Sequence, residues 1–530
     1  MSDREFAPDG FFPSSGCGSG SDSGFGSGFG SGSGSGSSTV RPPAWMFAEV
    51  ALLSGGTLQD PAAADRAFDA TQVSTDTRTL RPGDFFVALR GENHDGHDHL
   101  ALAAAAGACG ALVDRRGGPP GLPEVLVDDT TAGLQRWAAE HRRRFPGVRL
   151  VGLTGSSGKT TVKDLLAHLL AGEAPVLATA GNLNNHIGVP RTLLGLGPDH
   201  RYAVVEMGMN HPGEISLLSR LASPGAALIT DIGTAHVGLL GSREAILAAK
   251  LEIIEGLDAG APLVLPHDRW VLDRLPAAVR GRRIVTFGFD RAADWHPERP
   301  VELALDGTRF TTRQTGPLAL SLLGTGSALS ALASLAGVEA LGGDAAALAA
   351  RLGCAARRPL RMEPRRLGGS DWVLDCYNAS PESTRLAIGF LREVPHAGRR
   401  LLVLGALGEL GTHTEAIHRE LGERAGAVET VLFVGEGTRP AFDANRAAAL
   451  SSATAAWVED ADEAAEWLRL RLRPGDLVLL KGSRRAGLER IVTRLFPSED
   501  VEGDRAPAGP RVAGGGDDGS GGPDGGRRGR

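Results

Sequence analysis

Short, near-continuous apolar runs dominate the middle of this chain: VRLVGLT (148–154), YAVVEMG (202–208), AALITDIG (226–233) and APLVLP (261–266). Between them lie stretches with helical spacing. Strands apolar on both faces and separated by helices predict a mostly parallel sheet covered on both sides. The same style returns further on as WVLDCY, RLLVLG, TVLFVG and DLVLLKG, which predicts a second doubly wound, Rossmann-like α/β domain. A smaller α/β unit precedes both, with the runs DFFVAL (84–89) and GALVD (110–114) around the Ala-rich helical stretch HLALAAAAGA. DDTTAGLQRWAAEHRRRF (128–145) reads as a connecting helix, with Asp at its start and Arg142, Arg143 and Arg144 as its solvated end, matching the macrodipole. The predicted class is α/β with three domains, at residues 43–145, 146–355 and 356–497.

Composition removes the two ends from this picture. Between Ser14 and Ser38, 21 of 25 residues are Gly or Ser, which cannot bury a core. Residues 1–42 and 498–530 are therefore expected to be disordered tails. Apolar residues make up 42% of the chain and charged residues 22%, an ordinary globular balance. A net charge of −7 gives a nucleic-acid partner no electrostatic support. No apolar run of membrane-spanning length and no signal-like pattern occur, so neither membrane insertion nor export is expected. The four cysteines are scattered with no CxxC pair, which argues against a zinc site; a cytoplasmic protein fits best.

The chemistry concentrates around VGLTGSSGKTTVKDLL (151–166), where an apolar strand runs through a glycine loop into a helical pattern. Such a loop wraps an anion with backbone N–H groups, and the helix N-terminus adds its partial positive charge. Lys159 would reach the terminal phosphates of a nucleotide, and Thr160 would give its hydroxyl to Mg²⁺. The spacing departs from the strict GxxxxGK[ST] pattern, because Gly152 and Gly155 are the only upstream glycines. Glu206 stands where an apolar strand opens into a Gly/Asn loop, the place where ligands sit in open α/β sheets. His236, five residues past Asp231, is either a metal ligand or a hydrogen-bonded loop histidine. Lys250 falls inside the apolar stripe of Ile246, Ile253, Ile254 and Leu257 behind the cap Ser242. It either snorkels to water or is held neutral by burial, and a neutral amine beside Mg²⁺ can take up CO₂ as a carbamate. GENHDGHDH offers His94, His97, His99 and Asp95 as an alternative metal site.

Taken together, TGSSGKTT, GNLNNHIGVPRTLL, EMGMNHPGEI, TAHVG and AAKLEI resemble, in order and spacing, the central domain of the Mur ligases, the ATP-dependent amide-forming enzymes of peptidoglycan precursor synthesis. DCYNASPES, LGALGELGTHTEAIH and LKGSRRAGLE resemble their C-terminal domain, and STDTR with PGDFFVALRGENHDGHD resembles the N-terminal UDP-sugar-binding domain. The YNA-x-P and ELG pair points to the member that adds D-alanyl-D-alanine to the UDP-N-acetylmuramoyl tripeptide. The resemblance implies a cytoplasmic monomer that uses ATP and two Mg²⁺ ions. Gly155, Ser156, Ser157, Gly158, Lys159, Thr160 and Thr161 would hold the phosphates. Thr160 and Glu206 would hold one metal, and His236 with carbamoylated Lys250 a second. Arg361 and Asp375 would complete the nucleotide site from the C-terminal domain. Thr75, Asp76, Thr77 and Arg78 would contact the UDP end, and Asn184, Asn185, Asn378, Ser380 and Lys481 would bind substrate. The implied reaction activates a carboxylate as an acyl phosphate, which the dipeptide amine then attacks. The implied catalytic set is Lys159, Glu206, His236, Lys250, Arg361 and Asp375.

Several positions depart from the family pattern. The usual G-x-H-N-x-x-N-A stretch is GTGSALSALAS here, with Gly326, Ser327 and Ser330 at the His, Asn and Asn positions. Pro266 replaces an Asn, Ala406 and Leu407 replace an Asp-Met pair, Ser380 stands for Asn, and Thr77 for Ser. Gly326, Ser327, Ser330 and Pro266 fall where the family handles adenosine, while the phosphate and metal set is intact. A paralogue joining a different acid and amine, or a non-catalytic binding descendant, are the alternative readings.

Overall fold

The computed structural model describes residues 44–69, 73–235, 237–448 and 454–498. The expectations for both tails and for His236 lie outside the described residues.

The N-terminal sheet has five strands: β1 (Thr57–Leu58), β2 (Val73–Ser74), β3 (Phe85–Val87), β4 (Gly110–Val113) and β5 (Glu124–Leu126). Their order is β1-β5-β4-β3-β2, parallel except for β1. Helix α1 (Thr130–Arg143) follows, capped by the Asp129 carboxylate, which accepts from Ala132 N–H at 2.7 Å. Its C-terminal end corrects the sequence reading. Arg142 is buried, not solvated, and donates to the carbonyls of Ala222, Phe145, Val148 and Ser223. Those carbonyls belong to loops and helix ends that have no ladder partner, so a guanidinium with five donors satisfies them where water cannot reach.

The central sheet is parallel throughout, with order β11-β10-β9-β6-β8-β7: β6 (Arg149–Thr154), β7 (Val176–Ala178), β8 (Tyr202–Glu206), β9 (Ala226–Ile229), β10 (Leu263–Pro266) and β11 (Ile284–Phe287). Strands β6, β8 and β9 are buried almost from end to end, as their unbroken apolar runs require. Helix α2 (Lys159–Leu170) follows β6, α3 (Gly188–Leu194) precedes β8, and α4 (Arg243–Leu251) follows β9. Helix α5 (Thr325–Ala340) packs on α2, and a small antiparallel sheet over 302–320 precedes it. That antiparallel sheet was not anticipated, because its strand Thr308–Thr312 alternates in burial instead of running apolar.

The C-terminal sheet has order β12-β13-β17-β14-β15-β16, from β12 (Glu363–Leu367), β13 (Ser370–Asp375), β14 (Arg400–Gly405), β15 (Thr430–Val434), β16 (Thr454–Val458) and β17 (Leu477–Lys481), with only β12 antiparallel. Helix α6 (Pro381–Glu393) leaves β13 toward the central domain, and α7 (Thr414–Ala425) packs beside it. Central and C-terminal sheets both turn their strand carboxyl ends toward one cleft: the loops after β6, β9 and β13 meet there. Among the described residues no helix is long and apolar enough to cross a membrane.

Candidate active site

The phosphate loop forms where β6 ends. Gly155 and Gly158 adopt φ of 154° and 79°, and a Cβ on Gly155 would sit 1.9 Å from Thr230 Oγ1. Only glycine lets this loop pass so close to the end of β9. The loop is tied down on that side. Ser156 N–H donates to the Asp231 carbonyl at 2.9 Å, Ser157 Oγ donates to Asp231 Oδ2 at 3.0 Å, and Gly233 N–H donates to Ser156 Oγ at 2.9 Å. Lys159 opens α2 and folds its ammonium over the loop onto the Gly155 carbonyl at 2.7 Å. Thr160 and Thr161, in the same first turn, are half-buried.

Four basic side chains converge here. Burial lowers the Lys159 pKa, Glu206 opposes that, and Arg361 from the C-terminal domain adds to it. Lys250 is 1% exposed, and burial, reinforced by the Lys159 charge, holds its amine well below the usual lysine pKa. The sequence offered a snorkelling lysine or a buried one; the fold buries it. Lys163, four residues after Lys159 on the same face of α2, is likewise buried, donating to the Gly181 carbonyl at 3.3 Å. Like charges gathered in a poorly solvated cleft call for an anion of high charge, which a nucleotide polyphosphate supplies.

Glu206 supplies the opposite sign. Its Oε1 accepts from Asn184 Nδ2 at 2.9 Å, and its backbone N–H donates to Thr179 Oγ1 at 2.9 Å. Its Oε2 is buried with no hydrogen-bond partner, 4.0 Å from Lys163 Nζ. An orphaned carboxylate oxygen of this kind fits a hard cation such as Mg²⁺. Asp231 is a second acid at the loop; burial first, then the neighbouring Glu382 carboxylate, push its pKa up to about 6.

The C-terminal domain closes the other wall. The Arg361 guanidinium lies 4.4 Å from the Tyr377 ring centroid and within electrostatic reach of Lys159. Asp375, at the end of β13, pairs with buried Lys481 at 2.9 Å and accepts from Met362 N–H at 3.3 Å. Lys481 also donates to the Asn378 carbonyl at 2.9 Å. Glu382 bridges the domains, accepting from Thr234 N–H at 2.7 Å and from Thr234 Oγ1 at 2.8 Å.

Other expected residues have local duties. Ser380 caps α6, accepting from Ser383 N–H at 3.2 Å, and Asn185 caps α3 through Gly188 N–H at 2.8 Å. The Asn378 side chain turns back onto Ala379 N–H. Thr75, Asp76, Thr77 and Arg78 form a turn far along the first domain, with Asp76 gripped by Arg78 at 2.7 Å. The GENHDGHDH stretch is structural: buried His97 sets Nδ1 on Asp95 at 2.7 Å while its Nε2 accepts from Asp114 N–H at 3.1 Å. No cluster among the described residues could hold a metal through three or more His, Cys, Asp or Glu side chains. Sequence reasoning passed over Lys163 and Glu382. The i, i+4 spacing from Lys159 was a usable signal for the first; the second depends on a contact between domains.

Comparison with known proteins settles the family. Residues 153–338 match the Mur ligase middle domain, and residues 360–484 match the Mur ligase, glutamate ligase domain. The chain is 37% identical over 442 residues to the UDP-N-acetylmuramoyl-tripeptide–D-alanyl-D-alanine ligase of Escherichia coli K12, covering 82% of this chain and 94% of that protein. The chain belongs to the Mur ligase family. A Bacillus subtilis ligase of the same name is 34% identical over 85% of this chain and 98% of its own length. Among solved structures, MurF from Acinetobacter baumannii superposes with a TM-score of 0.77 at 29% identity, over 87% of this chain and all of that one. The MurF ligase of Thermotoga maritima in complex with ADP gives 0.70 at 30% identity, over 81% of this chain and 98% of that one. As a Mur ligase, the chain is an enzyme with the three-domain α/β architecture expected from its sequence.

At the start of α5 the family's side-chain amides are missing, and the hydroxyls present are otherwise engaged. Ser327 Oγ donates to the Leu323 carbonyl at 2.7 Å and Ser330 Oγ to the Gly326 carbonyl at 2.9 Å. Beside Thr325 a cavity of about 310 Å³ opens between the domains, with Phe289, Leu386 and Arg392 in its walls.

Proposed function

We propose that this Mur ligase joins D-alanyl-D-alanine to the UDP-N-acetylmuramoyl tripeptide at the expense of ATP, in cytoplasmic peptidoglycan precursor synthesis. The observation that carries the reading is the buried convergence of Lys159, Lys250 and Arg361 around the phosphate loop, opposite the half-satisfied Glu206. Residues 43–145 take the UDP end, 146–355 the ATP, and 356–497 the dipeptide. The loop backbone from Gly155 to Thr161 cradles the phosphates, and Lys159 leaves the Gly155 carbonyl to bind the terminal ones. Thr160 and Glu206 would hold Mg²⁺, which would neutralise charge on the transferred phosphoryl group. Arg361, with Asp375 behind it, orients the nucleotide from the far wall. The tripeptide carboxylate takes the γ-phosphoryl group and ADP departs. The dipeptide amine then attacks the acyl phosphate, losing a proton, and inorganic phosphate leaves from the tetrahedral intermediate. Water would hydrolyse the acyl phosphate, so the Glu382–Thr234 contact, which draws the domains together, keeps the reacting carbonyl dry.

Lys250, whose burial disfavours the ammonium form, is proposed to carry a carbamate and so supply a further anion to the metal region. If so, Lys250→Ala loses activity that formate or acetate partly restores, and CO₂-depleted buffer slows the wild type; neither effect is expected of a lysine with a purely structural role. The main reading is tested by phosphate release from ATP. Release that needs both the UDP-muramoyl tripeptide and D-alanyl-D-alanine supports it; release with another acid or amine instead identifies a paralogue.

A further inference from the structure

Helix α3 carries a cation that reaches into the first domain. Arg191 is half-buried between the domains, its Nε donating to the Val73 carbonyl at 3.2 Å and its Nη1 to Thr75 Oγ1 at 3.5 Å. These acceptors flank Ser74, whose hydroxyl donates to the Asp76 carbonyl at 3.1 Å and accepts from Asp76 N–H at 3.3 Å. Asp76 thus lies between two arginines: Arg78, which is 87% exposed and pairs with it directly, and Arg191, whose charge reaches it from behind. The carboxylates facing Arg191 are Asp76 and Asp84, both of the first domain. At its other end, α3 starts from Asn185 and Asn184, the residues that cap it and orient Glu206.

We propose that Arg191 is a positioning residue for the nucleoside diphosphate end of the substrate: from the central domain it fixes the turn 73–76 so that Thr75, Thr77 and Arg78 present their donors together. The inference rests on the functional reading above and adds a determinant that the sequence motifs did not mark. A planar guanidinium presents its Nε and Nη1 donors in a fixed fork, whereas a lysine ammonium is a single point charge on a flexible stem and fixes their relative direction less firmly.

The test compares the full-length wild type with Arg191→Leu and Arg191→Lys, reading UDP binding by calorimetry and the KM of each substrate. Loss of a charge-assisted contact should weaken UDP binding at least about tenfold in Arg191→Leu and raise KM for the UDP-muramoyl tripeptide alike. KM for ATP and kcat should stay within about threefold, with Arg191→Lys intermediate. Where the leucine variant does not fold, the lysine variant, which keeps the cation, carries the same comparison. Equal UDP affinity in wild type and variant overturns the proposal alone, as does a uniform loss in all parameters together with Tm. Failure of the wild type to bind UDP overturns the functional reading and this inference with it.

Discussion

At the phosphate end of the ATP site the shape is made by backbone: Gly155 and Gly158 in left-handed or extreme φ, a loop stitched to Asp231 and Gly233, and one lysine folded over it. At the base end, where the family places adenosine, the shape is left to side chains, and there Gly326, Ser327, Ser330 and Pro266 have replaced amides and an imidazole. The first end tolerates almost no change because a Cβ at Gly155 collides with Thr230, just past β9; at the second, Gly326, Ser327 and Ser330 sit in the regular first turns of α5. The two ends of the site thus rest on different parts of the chain, the phosphate end on backbone and the base end on side chains.

The sharpest way to break the contrast is Lys159→Ala. Removing the loop lysine proposed to bind the terminal phosphates should lower kcat/KM by about a thousandfold or more. Because burial and the Arg361 charge both disfavour the Lys159 ammonium, the same change should leave Tm unchanged or raise it. A large fall in Tm measured by calorimetry would reassign the residue to the fold.

At the base end the effect should be smaller and confined to binding. Each missing hydrogen bond is worth about 0.5–1.5 kcal/mol, so a high KM for ATP, a weak preference for ATP over GTP and a near-normal kcat are expected. Gly326→His with Ser327→Asn should lower KM for ATP more than for GTP, provided Leu386, 3.2 Å from a Cβ at Gly326, gives way. Tight ATP binding and rejection of GTP by the wild type would mean that the cavity beside Phe289 and Arg392 reads the base instead.

Asp231 links loop geometry to pH. Its folded pKa of about 6 lies above the unfolded value, so the native state binds the extra proton between about pH 4 and 6. Stability is present below that window and is lost as pH rises through it. Asp231→Asn should therefore raise stability on the order of 1 kcal/mol at pH 7.5 and add little below pH 4, read as Tm across the pH range.

The smallest effect is expected at the chain ends. Deleting residues 1–40 and 500–530, which carry none of the motifs, should change kcat/KM by less than about tenfold. A larger loss would give the Gly/Ser-rich segment a part in the reaction.

Much of this was legible in the residue pattern. Near-continuous apolar runs announced the parallel sheets because a strand covered on both faces has no polar side to show, and β6, β8, β14 and β17 lie within one or two residues of those runs, while β9 stops at Ile229, four residues before its run ends. The phosphate loop was equally readable, since strand, glycines, lysine and helix are adjacent in sequence. What the sequence could not decide was every relation between distant segments. Arg142 looked like a solvated helix end until loop carbonyls 80 residues away were found around it. Lys250 could snorkel or be buried until the fold placed it beside Lys159. The roles of Glu382 and Arg191 were not readable locally, because each finds its hydrogen-bond partners more than 100 residues away, on another domain. Local pattern fixes which way a side chain leaves its own element; desolvation and electrostatic partnership depend on what the tertiary structure sets opposite it.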